Sequence, residues 1–394
     1  MNINTKTFNL ITLVLLYILI SASLFASEVD KDTVNQIDSD SISTTEALPS
    51  GSIDSEKRPF RYWLWDTEVE PYDAGWALYI DNDLLAYRSS DKDYTGGLSL
   101  TLAGRRAQEY PISLDPFLSK LNAWTNFQSR LKPSNQLFHS IEVGFTVFTP
   151  DEISDVNNQS NDRPYASLLY LSNTQESLDM TSNSAWISSV SLGVIGSKLV
   201  SEIQTELHKA LGSDTPVGWD NQISNGGELT LKYSLAKQSL QSFNYDNDQK
   251  VEITGTTQLS LGYITQLSVG MSGRYGQFAT PWYTFRPQLS DYSEKSSSHL
   301  SQTVPTDEFY FWSGFNVHLR AYNAFLQGQF KDSPITYSAS EIRNVVAEGW
   351  IGLTKQFSSG WRLSYLIRGQ TSEVKVGKAD RSIFWGGLII SKSV

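Results

Sequence analysis

A chain of 394 residues with a net charge of -11, 40% hydrophobic and 12% aromatic residues and no cysteine excludes several classes at once. An acidic chain lacks the basic surface that meets phosphates, which argues against a nucleic-acid partner. Without thiols there is no disulfide framework, no thiolate metal site and no cysteine nucleophile.

The N-terminus reads as a secretory signal over residues 1–26: Lys6 gives a weak positive start, Leu10 to Phe25 an apolar run, and Ala26 a small residue at its end. Such a segment is removed on export, and the run is near the short end of the roughly 17–25 residues a spanning helix needs. Residues 27–57 are rich in acids and serine and hold no aromatic; they are expected to form a disordered periplasmic leader, too polar to offset chain entropy by burial. Residues 58–394 are expected to form one β domain.

Short alternating segments recur through that domain. Leu98, Leu100 and Leu102 share one face, with Ser99 and Thr101 on the other; Leu229, Leu231, Tyr233 and Leu235 alternate with Thr230, Lys232 and Ser234. This is the period of two of a β-strand. A soluble sandwich would alternate as well. Export, and aromatics near segment ends such as Trp76, Tyr79, Tyr94, Tyr165, Trp350, Trp361 and Trp385, favour a transmembrane barrel with aromatic girdles. The pattern predicts an antiparallel up-and-down β-barrel in the cell outer membrane, all-β apart from a short helix in an outer loop. Twelve strands are expected, at about 75–83, 94–105, 137–149, 165–177, 184–196, 226–240, 250–262, 265–277, 308–328, 341–357, 361–376 and 382–392. An even count puts both termini in the periplasm, so odd strands run outward.

Two long connections then fall on the inner side. Residues 106–136 contain Phe117, Leu121, Trp124 and Leu131 and suggest an amphipathic helix at the periplasmic surface; residues 278–307 show no evident chemistry. An outer connection holds a predicted helix over 198–211, with Leu199, Ile203, Leu207 and Leu211 as its apolar stripe and Gln204 and His208 together on another, exposed face. Gly212 ends it and Asp214 follows.

This topology gathers Asn82, Asp83, Thr95, His208 and Asp214 on one rim. Carboxylate, amide and hydroxyl oxygens suit a hard cation such as calcium, and a neutral histidine beside it can take a proton from water. Each piece also has a plain structural reading. Asn-Asp before a turn is ordinary turn chemistry, Asp93 to Gly97 can simply start a strand, a histidine on a polar helix face is commonly solvated, and Asp162-Arg163-Pro164 reads as a local ion pair fixing a loop. His139, His299 and His318 fall in strands or an inner loop and receive no role.

At these residues the chain resembles the lipid A 3'-O-deacylase family of outer-membrane barrels. The resemblance rests on Asp81-Asn82-Asp83, on Asp91 through Asp93-Tyr94-Thr95-Gly96-Gly97, on Phe148-Thr149-Pro150-Asp151 and on Asp162-Arg163-Pro164-Tyr165-Ala166. It continues from Leu192-Gly193-Val194-Ile195-Gly196 through Gln204, His208 and Gly212 to Gly218-Trp219-Asp220-Asn221-Gln222, and more weakly at Asn323-Ala324-Phe325-Leu326. The order of motifs is intact over about residues 75 to 394. The resemblance implies a twelve-stranded barrel with calcium-dependent ester hydrolysis of lipid A or lipopolysaccharide at its outer rim, acting as a monomer. It makes His208 the base, Asp83 a calcium ligand, Asn82 and Thr95 helpers of the metal and oxyanion region, and Asp214 the acidic partner. Two departures stand out. Asp214 is shorter than the glutamate that can occur there, and Asp151-Glu152 follow Pro150 where a family member carries a Lys-Arg pair suited to phosphate. An inactive barrel of the same family and a porin-type channel are the alternatives. A serine-dependent outer-membrane lipase is not, because His139-Ser140-Ile141 lacks its nucleophile element.

Overall fold

The structure, a computed structural model, describes residues 70–86, 92–125, 127, 136–154, 161–212, 214–244, 249–295 and 306–393. The signal segment 1–26, the leader 27–57, Asp91, Leu131 and His299 lie outside the described residues. Residues 67–203 and 215–394 form one compact unit, and residues 204–214 fall in a second.

The first unit is a closed antiparallel barrel of twelve strands. These are β1 (Gly75–Asn82), β2 (Asp93–Ala103), β3 (Gln136–Thr149), β4 (Ala166–Asp179), β5 (Ser184–Ile195), β6 (Glu228–Asn244), β7 (Lys250–Gly262), β8 (Ile264–Gln277), β9 (Glu308–Asn323), β10 (Val345–Gln356), β11 (Trp361–Gln370) and β12 (Ile383–Ser393). Each pairs with its neighbours in sequence, and β1 closes onto β12 from Gly75↔Ser393 to Asn82↔Gly386. Closure leaves no strand edge with unpaired backbone groups, the condition for crossing a bilayer in β form.

Alternation decides which side chains face lipid. Along β6, Thr230, Lys232 and Ser234 are buried while Leu229 and Leu231 are 70% and 39% exposed. Along β9, Asn316, His318 and Arg320 are buried while Phe311, Phe315, Val317 and Leu319 are exposed. Apolar outside and polar inside is the pattern of a membrane barrel.

The sequence expectation needs correction at several ends. Strand β9 stops at Asn323 and not at residue 328, because the Asn323 side chain caps a one-turn helix (Ala324–Gln327) by accepting from the Phe325 amide at 3.0 Å. Strand β10 begins at Val345 and β11 ends at Gln370, several residues inside the expected limits. The first inner connection does hold a helix, α1 (Asp115–Trp124), but its buried face is Leu118 and Asn122, whereas Phe117 and Trp124 are exposed. The reason is polar: Asn122 donates to Gln175 at 2.8 Å and to Ser188 at 2.9 Å and accepts from Tyr233 at 3.0 Å, a set that hydropathy does not register.

The larger surprise is the connection after β8. Residues 278–295 run through the lumen. Arg286 pairs with Glu176 of β4 at 2.5 Å, Asn316 of β9 donates to the Gln288 carbonyl at 2.9 Å, and Arg368 of β11 donates to the carbonyls of Pro287 and Ser290 at 2.8 and 2.9 Å. Further along, Tyr292 joins Tyr94, Phe148, Phe325 and Trp385 in a buried aromatic cluster. Part of a connection expected to show no chemistry thus crosses the lumen and is bonded to its wall.

Candidate functional site

The end of the barrel that carries the β1–β2 connection also carries β3–β4 and β5–β6, as antiparallel order requires. Three strand ends meet there. Asn82 closes β1; its Nδ2 donates to the Thr95 carbonyl at 3.0 Å and its Oδ1 accepts from the Leu84 amide at 2.9 Å. Asp83 opens a 3-10 turn (Asp83–Ala86) and is buried; its two oxygens accept from the amides of Leu84 at 2.9 Å and Lys92 at 2.8 Å. The structural reading of Asn82-Asp83 as turn chemistry therefore holds, and it coexists with any role in binding.

Thr95 owes its position to a β-bulge. The β2–β3 register runs Tyr94↔Phe148 and then Gly96↔Val147, so Thr95 has no partner across the ladder. A bulge re-aims side chains: Tyr94 points into the lumen, where it meets Tyr292, while the Thr95 hydroxyl lies 2.5 Å from the hydroxyl of Thr149. Thr149 faces away from the lumen, since its neighbour Phe148 faces in. The two glycines after Thr95 have a physical purpose. A Cβ on Gly97 would sit 2.7 Å from the Tyr94 hydroxyl, and one on Gly96 2.7 Å from the Asp81 carbonyl. Thr149 lies in the Phe148–Asp151 motif but receives no role from it; the register opposite the bulge, which a one-dimensional motif does not show, is what brings it beside Thr95.

Around this cluster the charges are paired. Arg381 reaches Asp93 at 2.9 Å and Asp162 at 2.6 Å. The local ion pair read at Asp162-Arg163 does not form: Arg163 reaches Glu373 at 2.7 Å, and Arg320 contacts the other oxygen of the same carboxylate. A bidentate acceptor from the β11–β12 connection competes better for the guanidinium than an adjacent residue whose backbone geometry constrains it. Lys92 pairs with Asp151 at 3.0 Å and Lys378 with Glu152 at 3.3 Å, so the two acids that replace the expected basic pair are themselves compensated.

The helix α2 (Lys198–Leu211) leaves β5 after Gly196. Its first turn is anchored: Val200 is buried with Val147, Ile153, Tyr165 and Trp219. The amphipathy is the reverse of the expectation. Leu199, Ile203 and Leu207 are exposed, while Gln204 and His208 are buried, His208 at 5% exposure. The polar residues expected to be solvated are thus the buried ones, and the expected apolar stripe is exposed. Within the second unit, His208 Nδ1 lies 2.7 Å from the Asp214 backbone carbonyl. A carbonyl only accepts, so Nδ1 is the donor in this contact, and in a neutral ring the basic nitrogen would be Nε2. Asp214 makes this contact through its backbone, and its side chain belongs to an exposed residue; the shorter arm is no obstacle to it. His318, by contrast, sits in the lumen between Ser268 at 2.8 Å and Glu348 at 3.2 Å.

Among the described residues no group of three or more histidine, aspartate or glutamate side chains converges as a metal site. A cation at the strand ends would have one buried carboxylate, Asp83, and the neutral oxygens of Asn82 and Thr95. That donor set is all oxygen, which fits calcium and does not fit zinc.

A family model described as outer membrane protein LpxR matches residues 63–393. No curated protein sequence matches the chain. Among solved structures, LpxR from Salmonella typhimurium aligns at a TM-score of 0.62 with 17% identity, covering 81% of this chain and 99% of that one. The β domain of the Bordetella autotransporter Brka aligns at only 0.39 with 7% identity, covering 82% and 100% respectively.

Proposed function

The chain belongs to the LpxR family of outer membrane proteins, and on that premise we propose that it is an esterase that hydrolyses an ester-linked acyl chain of lipid A, the 3'-O-linked one by family resemblance. The observation that carries this reading is the 2.7 Å contact of His208 Nδ1 with the Asp214 carbonyl, which holds the ring in the tautomer a general base needs. In this reading Nε2 takes a proton from water as the water oxygen bonds to the ester carbon. The bond from that carbon to the sugar oxygen then breaks, and the proton held on His208 passes to the leaving oxygen. Asn82, Asp83 and Thr95 would hold calcium, which when bound supplies positive charge near the oxygen that becomes negative. Asn82 and Thr95 also orient the ester, and Asp214 orients the base.

Two features support this reading over a channel. Residues 278–295 cross the lumen and are bonded to its wall, whereas a porin needs an open water-filled one. The helix with its buried histidine has no purpose in a passive pore. A catalytically inactive relative remains the alternative to exclude by experiment.

Mass spectrometry of lipid A from cells with and without the protein, followed by assay of purified protein with and without a calcium chelator, is the direct test. The expected result is loss of one ester-linked acyl chain, abolished by the chelator and restored by calcium. Intact lipid A under both conditions, with a correctly folded protein, would sink the esterase reading.

A further inference from the structure

We infer that the lumen loop positions the strand-end cluster, and that Lys295 is the residue through which it acts; the inference rests on the reading that Asn82 and Thr95 belong to the hydrolytic site. Strand alternation gives each of three strand-end residues an inward neighbour: Asp81 precedes Asn82, Tyr94 precedes Thr95 and Phe148 precedes Thr149. All three inward neighbours meet the Tyr292–Lys295 stretch of the loop. Lys295 Nζ lies 2.6 Å from Asp81 Oδ2, and the Tyr94 hydroxyl donates to that same oxygen at 3.0 Å. The Tyr292 ring lies 5.1 Å from that of Tyr94 and 4.9 Å from that of Phe148. The Lys295 backbone amide is itself held by both oxygens of Glu142 of β3, at 3.1 and 3.0 Å.

The bulge makes these contacts consequential. Sliding it by one residue toward Asp93 would change the ladder little, but it would turn Tyr94 out and the Thr95 hydroxyl in. What distinguishes the two registers is which side chain is buried and satisfied in the lumen. Asp81 is 7% exposed, and a buried carboxylate without its cation carries a heavy desolvation cost. Lys295 therefore fixes Asp81, Asp81 fixes Tyr94, and an inward Tyr94 keeps Thr95 beside Thr149 on the outer face. Lys295 is a positioning residue, remote from the ester.

The test uses full-length refolded protein and two readouts, hydrogen exchange of the amides of residues 92–97 and steady-state turnover with its calcium requirement. Lys295→Met should raise exchange in 92–97, raise the half-activating calcium concentration, and lower kcat by roughly tenfold to a hundredfold, the scale for a misplacement of about 1 Å. Lys295→Arg should restore most of both. Lys250→Met, which removes a contact at the base of the same loop with the Phe278 carbonyl at 2.6 Å, should leave 92–97 and kcat unchanged. If Lys295→Met does not fold, Tyr94→Phe removes only the hydroxyl and should move the same readouts in the same direction by less. Unaltered exchange in 92–97 overturns the inference, and so does altered exchange with wild-type turnover and calcium requirement. A wild-type protein that hydrolyses no acylated lipid fails the esterase reading itself, and exchange alone then decides whether the loop pins the bulge.

Discussion

At the scale of the residue, His208 concentrates what the sequence shows and what it hides. Its identity as the candidate base was legible from its place on a helix with Gln204 and from the motif order around it. Its burial was not, because helical periodicity identifies an apolar face without saying what solvent that face meets. His208→Ala should lower kcat by roughly two to four orders of magnitude, the range for losing a general base, measured on refolded protein with lipid A in detergent. Since the site is buried, some loss of stability accompanies the change, and heat-modifiable gel mobility should be recorded alongside. His318→Ala serves as the comparison. It removes a lumen contact to Ser268 and Glu348, so it should affect thermal stability while leaving kcat within about twofold of wild type, as a group outside the reacting atoms should. Equal losses of turnover in the two variants would show that the effect of His208→Ala is structural.

At the scale of the element, strands were the most legible part. A period of two survives in single sequence when one face meets lipid, and the ends β3, β5, β7 and β8 fall within a residue or so of expectation. The bulge at Thr95 and the lumen course of 278–295 were not legible, since both depend on pairing and long-range contact. A signal for the second did exist: Trp282, Tyr283, Phe285, Leu289 and Tyr292 lie close together, and a solvated loop has no reason to be so aromatic. The turn after β1 permits a sharp test. Leu85 lies over Gly386 of β12, where a Cβ would approach its backbone to 2.5 Å, and the Tyr365 hydroxyl donates to the Leu85 carbonyl at 2.5 Å. Gly386→Ala must displace the turn that begins with Asp83. It should raise the calcium concentration needed for half-maximal activity and lower kcat by about tenfold or more, with Tyr365→Phe moving both less. Normal calcium dependence in a folded Gly386→Ala protein would separate the turn from the metal.

At the scale of the whole molecule, Glu373 binds together parts of the chain that are distant in sequence. Burial alone would raise its carboxyl pKa, but the guanidiniums of Arg163 and Arg320 hold it below the ordinary carboxylate value. A lowered folded pKa means that this contribution to stability is complete above the ordinary pKa and is lost as pH falls through the folded one. Thermal denaturation in detergent should therefore show an acid limb below about pH 4, near the reference carboxylate range. Glu373→Gln should reduce that limb and cost about 3–5 kcal/mol at neutral pH, since it leaves two buried cations without their anion. An unchanged acid limb in Glu373→Gln would assign it to other carboxylates.

The lumen loop has one more consequence, and it concerns time. Its anionic partners Asp81, Glu142 and Glu176 lie on β1, β3 and β4, ahead of the loop in the chain, whereas Asn316, Arg368 and Trp385 come from strands that follow it. A half-built sheet ending at β8 already displays the carboxylates that receive Arg286 and Lys295. The loop can settle on that curved, open sheet and act as a mandrel around which β9 to β12 curl until β12 reaches β1. Sealing and filling are then a single event. Refolding of Arg286→Gln or Lys295→Met into detergent micelles is expected to be slower than wild type, with gel-shift kinetics as the measure; wild-type rates for both would mean that the wall closes first and the loop enters afterwards.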